Sequence, residues 1–544
     1  MINLGRLFTI SLAAILPFMI NDRVKASTDG VKDSTKTKIP EPKVVQGPKA
    51  KKLPITGVVG NGNDETPGEW YAGATPANLR ADAPVLLFVQ GLNSTADVWW
   101  EDNNMYDTAY NQGYQTAFVQ LYDAGGTSAS MWKNGQLLSE KIKEISEHFN
   151  HKPITIVAHS KGGVDSQTAL TYYGAWKYVD NVITLSGPHH GSELANLAYS
   201  YWAGWLADIL GLKGEGTYVL QTGYMDHFRT QTDVQLRVTE NDYYTLGGTD
   251  WGSAFSATWL GGLYLSRYGA SDGAVRVTSS RLPEKEGRQV AIGDWNHFSI
   301  RTGVTFPVFQ DYLMGDLAEE SAERFTGKSA EAIAGANRWI HGGKLAGAVN
   351  ESISIPVEDD VKSLTIDLLT KHPLSKTKLF DSTGKQVKAD IKTTKTDNVY
   401  FRGTIHNFFT LQHPKPGNLQ LKLTASQDDA YLLTADFATN KKIKLQKIDI
   451  KRSKSLSKDY KLSFQLKANP SRIDPQTLKA AYHITKTGDH EHTKSFMVSG
   501  TADLSKEMTL TEPNQVYNIT VDIEGLTNLG NPFKRTFIDS VYTE

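Results

Sequence analysis

Cysteine is absent from all 544 residues, so no disulfide can form, and stability must come from the size of the core or from metal ions. Charge of one sign is also missing. The 58 Lys/Arg and 59 Asp/Glu leave a formal net charge of -1, which gives no electrostatic argument for a nucleic acid or other charged polymer as partner. Beyond the amino terminus no apolar stretch reaches the roughly 20 residues that a bilayer-spanning helix needs. Hydrophobic content of 39% and charged content of 22% are ordinary for globular protein, and the length exceeds one core, so two to four domains are expected.

Residues 1–26 have the pattern of a secretory signal. Arg6 supplies the positive start, Leu7 to Ile20 the apolar run, and Val24-Lys25-Ala26 a small-residue cleavage site. The expectation is an exported protein, free or held at the cell surface. Residues 27–55 carry seven lysines against Asp29, Asp33 and Glu41, with recurrent proline, and read as a disordered linker or pro-segment. Residues 441–470 hold ten Lys/Arg against Asp449 and Asp459, and read as a solvated strand face or linker rather than an anchor for an anionic surface.

From 56 to 345 buried strands alternate with helices. Pro84-Val85-Leu86-Leu87-Phe88-Val89, Tyr114 to Leu121, Ile154 to Val157 and Val182 to Leu185 are apolar on both faces, and Asn134 to Phe149 has helical periodicity. The fold class expected is α/β, a mostly parallel sheet covered by helices on both faces. Beyond 350 the period changes to two, as in Ser352-Ile353-Ser354-Ile355 and Leu419-Gln420-Leu421-Lys422-Leu423, with turn residues between. This predicts one or two all-β sandwich modules, 350–445 and an Ig-like 446–544. They carry no catalytic pattern and are candidates for contact with a surface or polymer.

The most informative stretch is Ile154-Thr155-Ile156-Val157-Ala158-His159-Ser160-Lys161-Gly162-Gly163. A β-branched run enters a serine flanked by small residues and a helix start follows, which is the pattern of a nucleophile elbow. A serine needs a base, an acid that orients the base, and donors for the oxyanion. The base must come later in the chain. His297 follows the strand candidate Gln289–Ile292, whereas His189 and His190 follow the strand next after the elbow and would line the site. Asp272 in Ser271-Asp272-Gly273 is the expected acid, with Asp250 and Asp294 as fallbacks. The oxyanion donors are the backbone N–H groups of Lys161 and of Leu92 in Gln90-Gly91-Leu92. The Lys161 side chain reads as a solvated charge.

These motifs, with Pro188-His189-His190-Gly191-Ser192 and Trp295-Asn296-His297, resemble the bacterial true lipases of the α/β-hydrolase fold, the Pseudomonas and Burkholderia type in particular, over residues 80–310. The resemblance implies carboxylic ester hydrolysis through an acyl-Ser160 intermediate, by a triacylglycerol lipase or carboxylesterase. Gln90 stands where that family has histidine. Asp250 matches one carboxylate of the family's calcium site, but Ser299 replaces the other. Calcium is therefore doubtful and no cofactor is required by this reading.

Residues 194–210 are almost wholly apolar, with Tyr199, Tyr201, Trp202 and Trp205, and only Asn196, Ser200 and Asp208 as a polar third if the segment is one helix. The insert at about 192–265 lies where the resembled family keeps its lid. It predicts an amphipathic lid that exposes an apolar face to lipid, with Gly91, His159, Trp202 and Trp205 near substrate. A helix packed permanently on the core is the competing expectation. The implied substrate is a lipid or other water-insoluble ester. A polyester depolymerase or lipid acyltransferase would use the same triad, and a surface-binding protein with an inactive hydrolase domain is the alternative of another class.

Overall fold

A computed structural model describes residues 38–45, 66–125, 128–314, 337–395, 401–439, 472–486, 488–499 and 512–544, with short strand segments at 324–325, 446–447 and 464–465 and isolated positions 504, 508 and 510. The signal-like residues 1–26 and most of the linker and basic stretches lie outside the described residues.

The first sheet is built from β1 (Lys43–Val45), β2 (Trp70–Ala72), β3 (Val85–Val89), β4 (Thr116–Val119), β5 (Ile154–His159), β6 (Val179–Leu185), β7 (Asp242–Gly248), β8 (Gly287–Gly293) and β9 (Arg324–Phe325). Their order is β1-β2-β4-β3-β5-β6-β7-β8-β9, antiparallel only at the β1–β2 and β2–β4 edges. Because successive side chains point to opposite faces, the apolar runs supply two cores at once. Val85, Leu87, Val89, Ile156 and Ala158 pack with Leu138, Ile142 and Ile145 of α2 (Met131–His148), which follows α1 (Met105–Asn111), and with Leu170 of α3 (Lys161–Tyr173). On the other face Phe88 stacks on Phe118 with ring centroids 5.1 Å apart, and Trp99 and Tyr106 close over them. One boundary differs from expectation: Lys43–Val45, placed in the linker by composition, is an edge strand paired to Trp70–Ala72, because backbone pairing does not require apolar side chains.

The β region begins at Arg338, earlier than 350, since β10 (Arg338–Leu345) pairs along its whole length with β18 (Asp429–Thr439). The remaining strands of this module are β11 (Asn350–Val357), β12 (Val361–Thr370), β13 (Leu374–Phe380), β14 (Gln386–Val387), β15 (Asp390–Lys395), β16 (Ile405–Gln412), β17 (Gly417–Ala425) and β18 (Asp429–Thr439). They form sheets β10-β18-β12-β16-β15 and β11-β17-β13-β14, whose residues Ile355, Ile366, Leu421 and Leu433 share one buried cluster. After the short pair β19 (Gln446–Lys447) and β20 (Phe464–Gln465) come β21 (Lys479–Lys486), β22 (Lys494–Ser499), β23 (Gln515–Leu526) and β24 (Pro532–Thr543). Among the described residues this last module has one four-stranded antiparallel sheet, β22-β21-β23-β24.

The two modules are tied by charge. Arg535 of β24 is fully buried and its guanidinium donates to the Glu358 carboxylate at 2.6 Å, while Asn531 and Thr527 donate to the neighbouring Asp359. A charge buried this deeply is costly once its partner is gone. Arg535→Ala is expected to destabilise the chain by about 3–5 kcal/mol, read as a drop in the urea midpoint; an unchanged midpoint would show that Glu358 finds water or another partner.

Candidate active site

Every sequence-predicted catalytic residue lies beyond the carboxyl end of a parallel strand, the edge where open α/β sheets place their sites. Ser160 ends β5 and opens α3 with φ 54 and ψ -131, a left-handed conformation that a non-glycine residue adopts only under constraint, at a cost of order 1–3 kcal/mol. The constraint is close packing. A Cβ on Gly91 would lie 2.9 Å from the Ser160 Cβ, and one on Gly162 would overlap the Gln90 carbonyl oxygen. The Ser160 N–H also donates to the Leu185 carbonyl at 3.0 Å, so β6 holds the turn from the other side.

Ser160 Oγ lies 3.0 Å from His297 Nε2, and His297 Nδ1 lies 2.6 Å from Asp272 Oδ2. Asp272 Oδ1 accepts the N–H groups of Ala274 at 2.9 Å and Val275 at 2.7 Å. These two bonds hold the carboxylate and leave its second oxygen for the imidazole. The Asp272 carbonyl accepts the His297 N–H at 2.9 Å, so the acid loop carries the base loop as well. A side chain on Gly273, at φ 94, would collide with the Thr258 carbonyl, which is why glycine follows the acid. The fallbacks are placed elsewhere: the Asp250 N–H donates to the Trp295 carbonyl, and Asp294 accepts from the Thr249 hydroxyl at 3.1 Å.

His159 is buried beneath the base. Its Nε2 donates to the His297 carbonyl at 2.7 Å and the two rings are 4.7 Å apart. Burial, and then the neighbouring His297 and Arg301, hold its pKa well below the ordinary histidine value. His159, expected near substrate, is here a neutral donor fixed on the base loop. His189 is likewise buried, with Thr184 Oγ1 at 3.4 Å, and burial lowers its pKa well below the usual range; the His190 N–H donates to Ser279. Gly91 and Leu92 follow Gln90 just past β3, and Leu92 is buried in a cluster with Val164 of α3 and Leu194 of the insert.

Lys161 overturns the expectation of a solvated charge. Its ammonium is wholly buried, 2.9 Å from Asp165 and 3.2 Å from Asp123, and Asn134 donates to both carboxylates. Burial alone would lower the Lys161 pKa, but Asp123 and Asp165 outweigh it and raise it. Burial, opposed by Lys161 and reinforced by Asp123, pushes Asp165 up to about 7. The i,i+4 spacing of Lys161 and Asp165 is a signal visible in the sequence; Asp123 and Asn134 have none.

Gln90, noted for standing in place of histidine, is also fully buried. Its amide, oriented to satisfy both groups, donates to the Val119 carbonyl at 2.6 Å and accepts the Leu121 N–H at 2.8 Å. The residues around the two positions compared with a calcium site are used otherwise. Ser299 Oγ accepts the Asn296 N–H at 2.9 Å as part of a turn, and among the described residues no three His, Asp or Glu side chains gather where a metal could sit, Asp250 included.

The apolar insert is neither one helix nor exposed. It forms α4 (Glu193–Ala198) and α5 (Gly204–Leu210), continued by α6 (Glu215–Val219), α7 (Thr222–Thr232) and, after β7, α8 (Ala257–Leu265). Leu194, Leu197, Tyr199 and Leu206 share a buried cluster with Ile340, Leu369, Leu432 and Ile538 of the β modules. Trp202 donates its Nε1–H to Asp522 at 2.7 Å and stacks on His341 at 4.4 Å, and Trp205 meets His490 edge-on at 4.0 Å. Both tryptophans, expected near substrate, therefore face the modules in this chain. Local sequence hides these partners because they lie more than a hundred residues away. Even the polar positions are used: Asn196 accepts the Ser540 hydroxyl at 2.9 Å, and Ser192 Oγ donates to the Ala274 carbonyl at 2.8 Å, joining insert to acid loop.

Residues 84–215 match the family model of the alpha/beta hydrolase fold. The propeptide form of the lipase BlEst2 from Bacillus licheniformis is 33% identical, covers 88% of this chain and 97% of its own, and superposes with a TM-score of 0.71. The mature form of that lipase is 44% identical over 45% of this chain and 98% of its own, with a TM-score of 0.42. Triacylglycerol lipase 2 of Saccharomyces cerevisiae is 25% identical over 166 residues, 30% of this chain; the chain spans 50% of the length of this curated relative.

Gly162→Ala is expected to cost about 1–3 kcal/mol, because strand β3 cannot retreat from a methyl group. The thermal midpoint checks it, and a midpoint equal to that of the parent would refute the close approach.

Proposed function

We propose a function from one premise: the chain belongs to the family of α/β-hydrolase lipases that contains the Bacillus licheniformis enzyme. In this reading it is a carboxylic ester hydrolase acting on lipid-like esters through an acyl-Ser160 intermediate. The observation that carries the proposal is the continuous hydrogen-bonded line from Ser160 Oγ through His297 to Asp272. The order of motifs shared with the Pseudomonas and Burkholderia type supports the same roles.

Ser160 Oγ attacks the ester carbonyl carbon while His297 Nε2 takes its proton. Asp272, accepting from Nδ1, stabilises the imidazolium and keeps the ring turned toward the serine. The carbonyl oxygen becomes an oxyanion that the Leu92 and Lys161 N–H groups receive. Collapse breaks the bond to the alcohol, which leaves with the proton from His297. Water then repeats the sequence on the acyl-enzyme, releasing the acid and restoring Ser160. No step calls for a metal or other cofactor.

The Bacillus lipase exists in a propeptide and a mature form. The packing of the β modules over Trp202 and Trp205 supports reading the full chain here as a restrained form, with the insert freed when the modules leave. The pattern of residues 1–26 supports export.

Ser160→Ala is expected to abolish p-nitrophenyl ester turnover, and Asp272→Asn to lower kcat by roughly four orders of magnitude; a chelator should leave both kcat and KM unchanged. Turnover by the Ser160→Ala protein at the parent rate would refute the mechanism. Proteolytic release of the β modules is expected to raise turnover of emulsified long-chain esters more than that of soluble short-chain esters, and equal changes would argue against a restrained insert.

A further inference from the structure

The proposed mechanism uses the Lys161 backbone and leaves its side chain without a task. Yet that side chain is fully buried in a cluster with Asp123, Asp165 and Asn134, drawn from three different elements: the turn after β4, the first helix turns of α3, and α2. The cluster is weak evidence for stability, because buried ion pairs can often be replaced by apolar groups of similar volume with no loss. Its geometry does suggest a task. The cluster joins the residue that bears one oxyanion donor to Asp123. The second donor, Leu92, lies two residues after Gln90, whose amide is clamped to Val119 and Leu121. Both sides of the oxyanion hole are thus fastened to one short segment, residues 119–123.

We propose that Gln90 and Lys161 are positioning residues that mount the Leu92 and Lys161 N–H groups on residues 119–123, so that both donors stand at the spacing that an oxyanion requires. The inference rests on the ester-hydrolase reading above. Oxyanion stabilisation depends on donors fixed before the charge develops, and a shift of the order of 1 Å is enough to lose most of it. The interaction serves the tetrahedral state more than the bound ester, so its loss falls on kcat and leaves KM nearly untouched. Like charges left behind by removing Lys161 alone would endanger folding, so Asp165 is changed with it.

The test compares the full-length chain with Lys161→Met/Asp165→Asn, with Gln90→Met, and with all three substitutions together. Each protein is titrated with a fluorophosphonate probe, the labelled residue is mapped by mass spectrometry, and p-nitrophenyl butyrate kinetics are normalised to labelled sites. The expected result is full labelling at Ser160, a fall in kcat of about ten- to a hundredfold for each of the first two variants, and KM within about twofold of the parent. Because the two anchors share one mount, the triple variant should lose less than the product of the separate losses. Weaker binding of a boronic acid transition-state analogue, by about the same factor as kcat, should accompany it. A parent-like kcat per labelled site, a loss carried by KM, or strictly multiplicative losses would overturn the proposal. Absence of Ser160 labelling in the parent would instead defeat the functional reading and the positioning with it.

Discussion

The left-handed backbone at Ser160 is the constraint to which the other parts of the site answer. A residue with a side chain rests at φ 54 only if its surroundings leave no relaxed alternative. Those surroundings are β3, β6 and the start of α3, brought within van der Waals contact through Gly91 and Gly162. The same close approach that forces the turn also sets the loop after β3 beside the serine. Strain at Ser160 and placement of the Gly91-Leu92 backbone next to it are therefore one event.

A second economy appears at His297. Asp272 holds it twice, by its carboxylate through the ring and by its carbonyl through the backbone, and His159 adds a bond to the His297 carbonyl from beneath. The ring is oriented by groups that are themselves held, since Asp272 accepts two backbone N–H groups on the oxygen it does not offer to the histidine. Ser192 extends this order outward, capping α4 and bonding the Ala274 carbonyl, so that the insert is hydrogen-bonded to the loop of Asp272.

The insert explains the large apolar surface that the sequence concentrates between 194 and 210. A contiguous apolar patch of this size on a soluble protein marks a surface that something contacts. In this chain the cover is made by the β modules, with histidines His341, His483 and His490 laid against Trp202, Tyr201 and Trp205. A half-buried carboxylate and a buried amide on the module side, Asp522 and Asn518, bond the insert's side chains and backbone and give the contact a defined register.

Local features were legible in the sequence: the parallel strands, as runs apolar on both faces, and the elbow, because small residues must flank a serine at that turn. The chain order of Ser160, Asp272 and His297 is equally readable, since Ser160 and His297 each follow a strand and Asp272 stands in an Asp-Gly loop between them. Partners remote in sequence were settled by the folded chain alone. Lys161 reads as a surface charge because nothing local reveals Asp123, 38 residues earlier, and Trp202 reads as a lipid contact because Asp522 lies 320 residues later. Periodicity records which face of an element is apolar; it carries no information about what comes to lie against that face, which depends on how distant elements close the core.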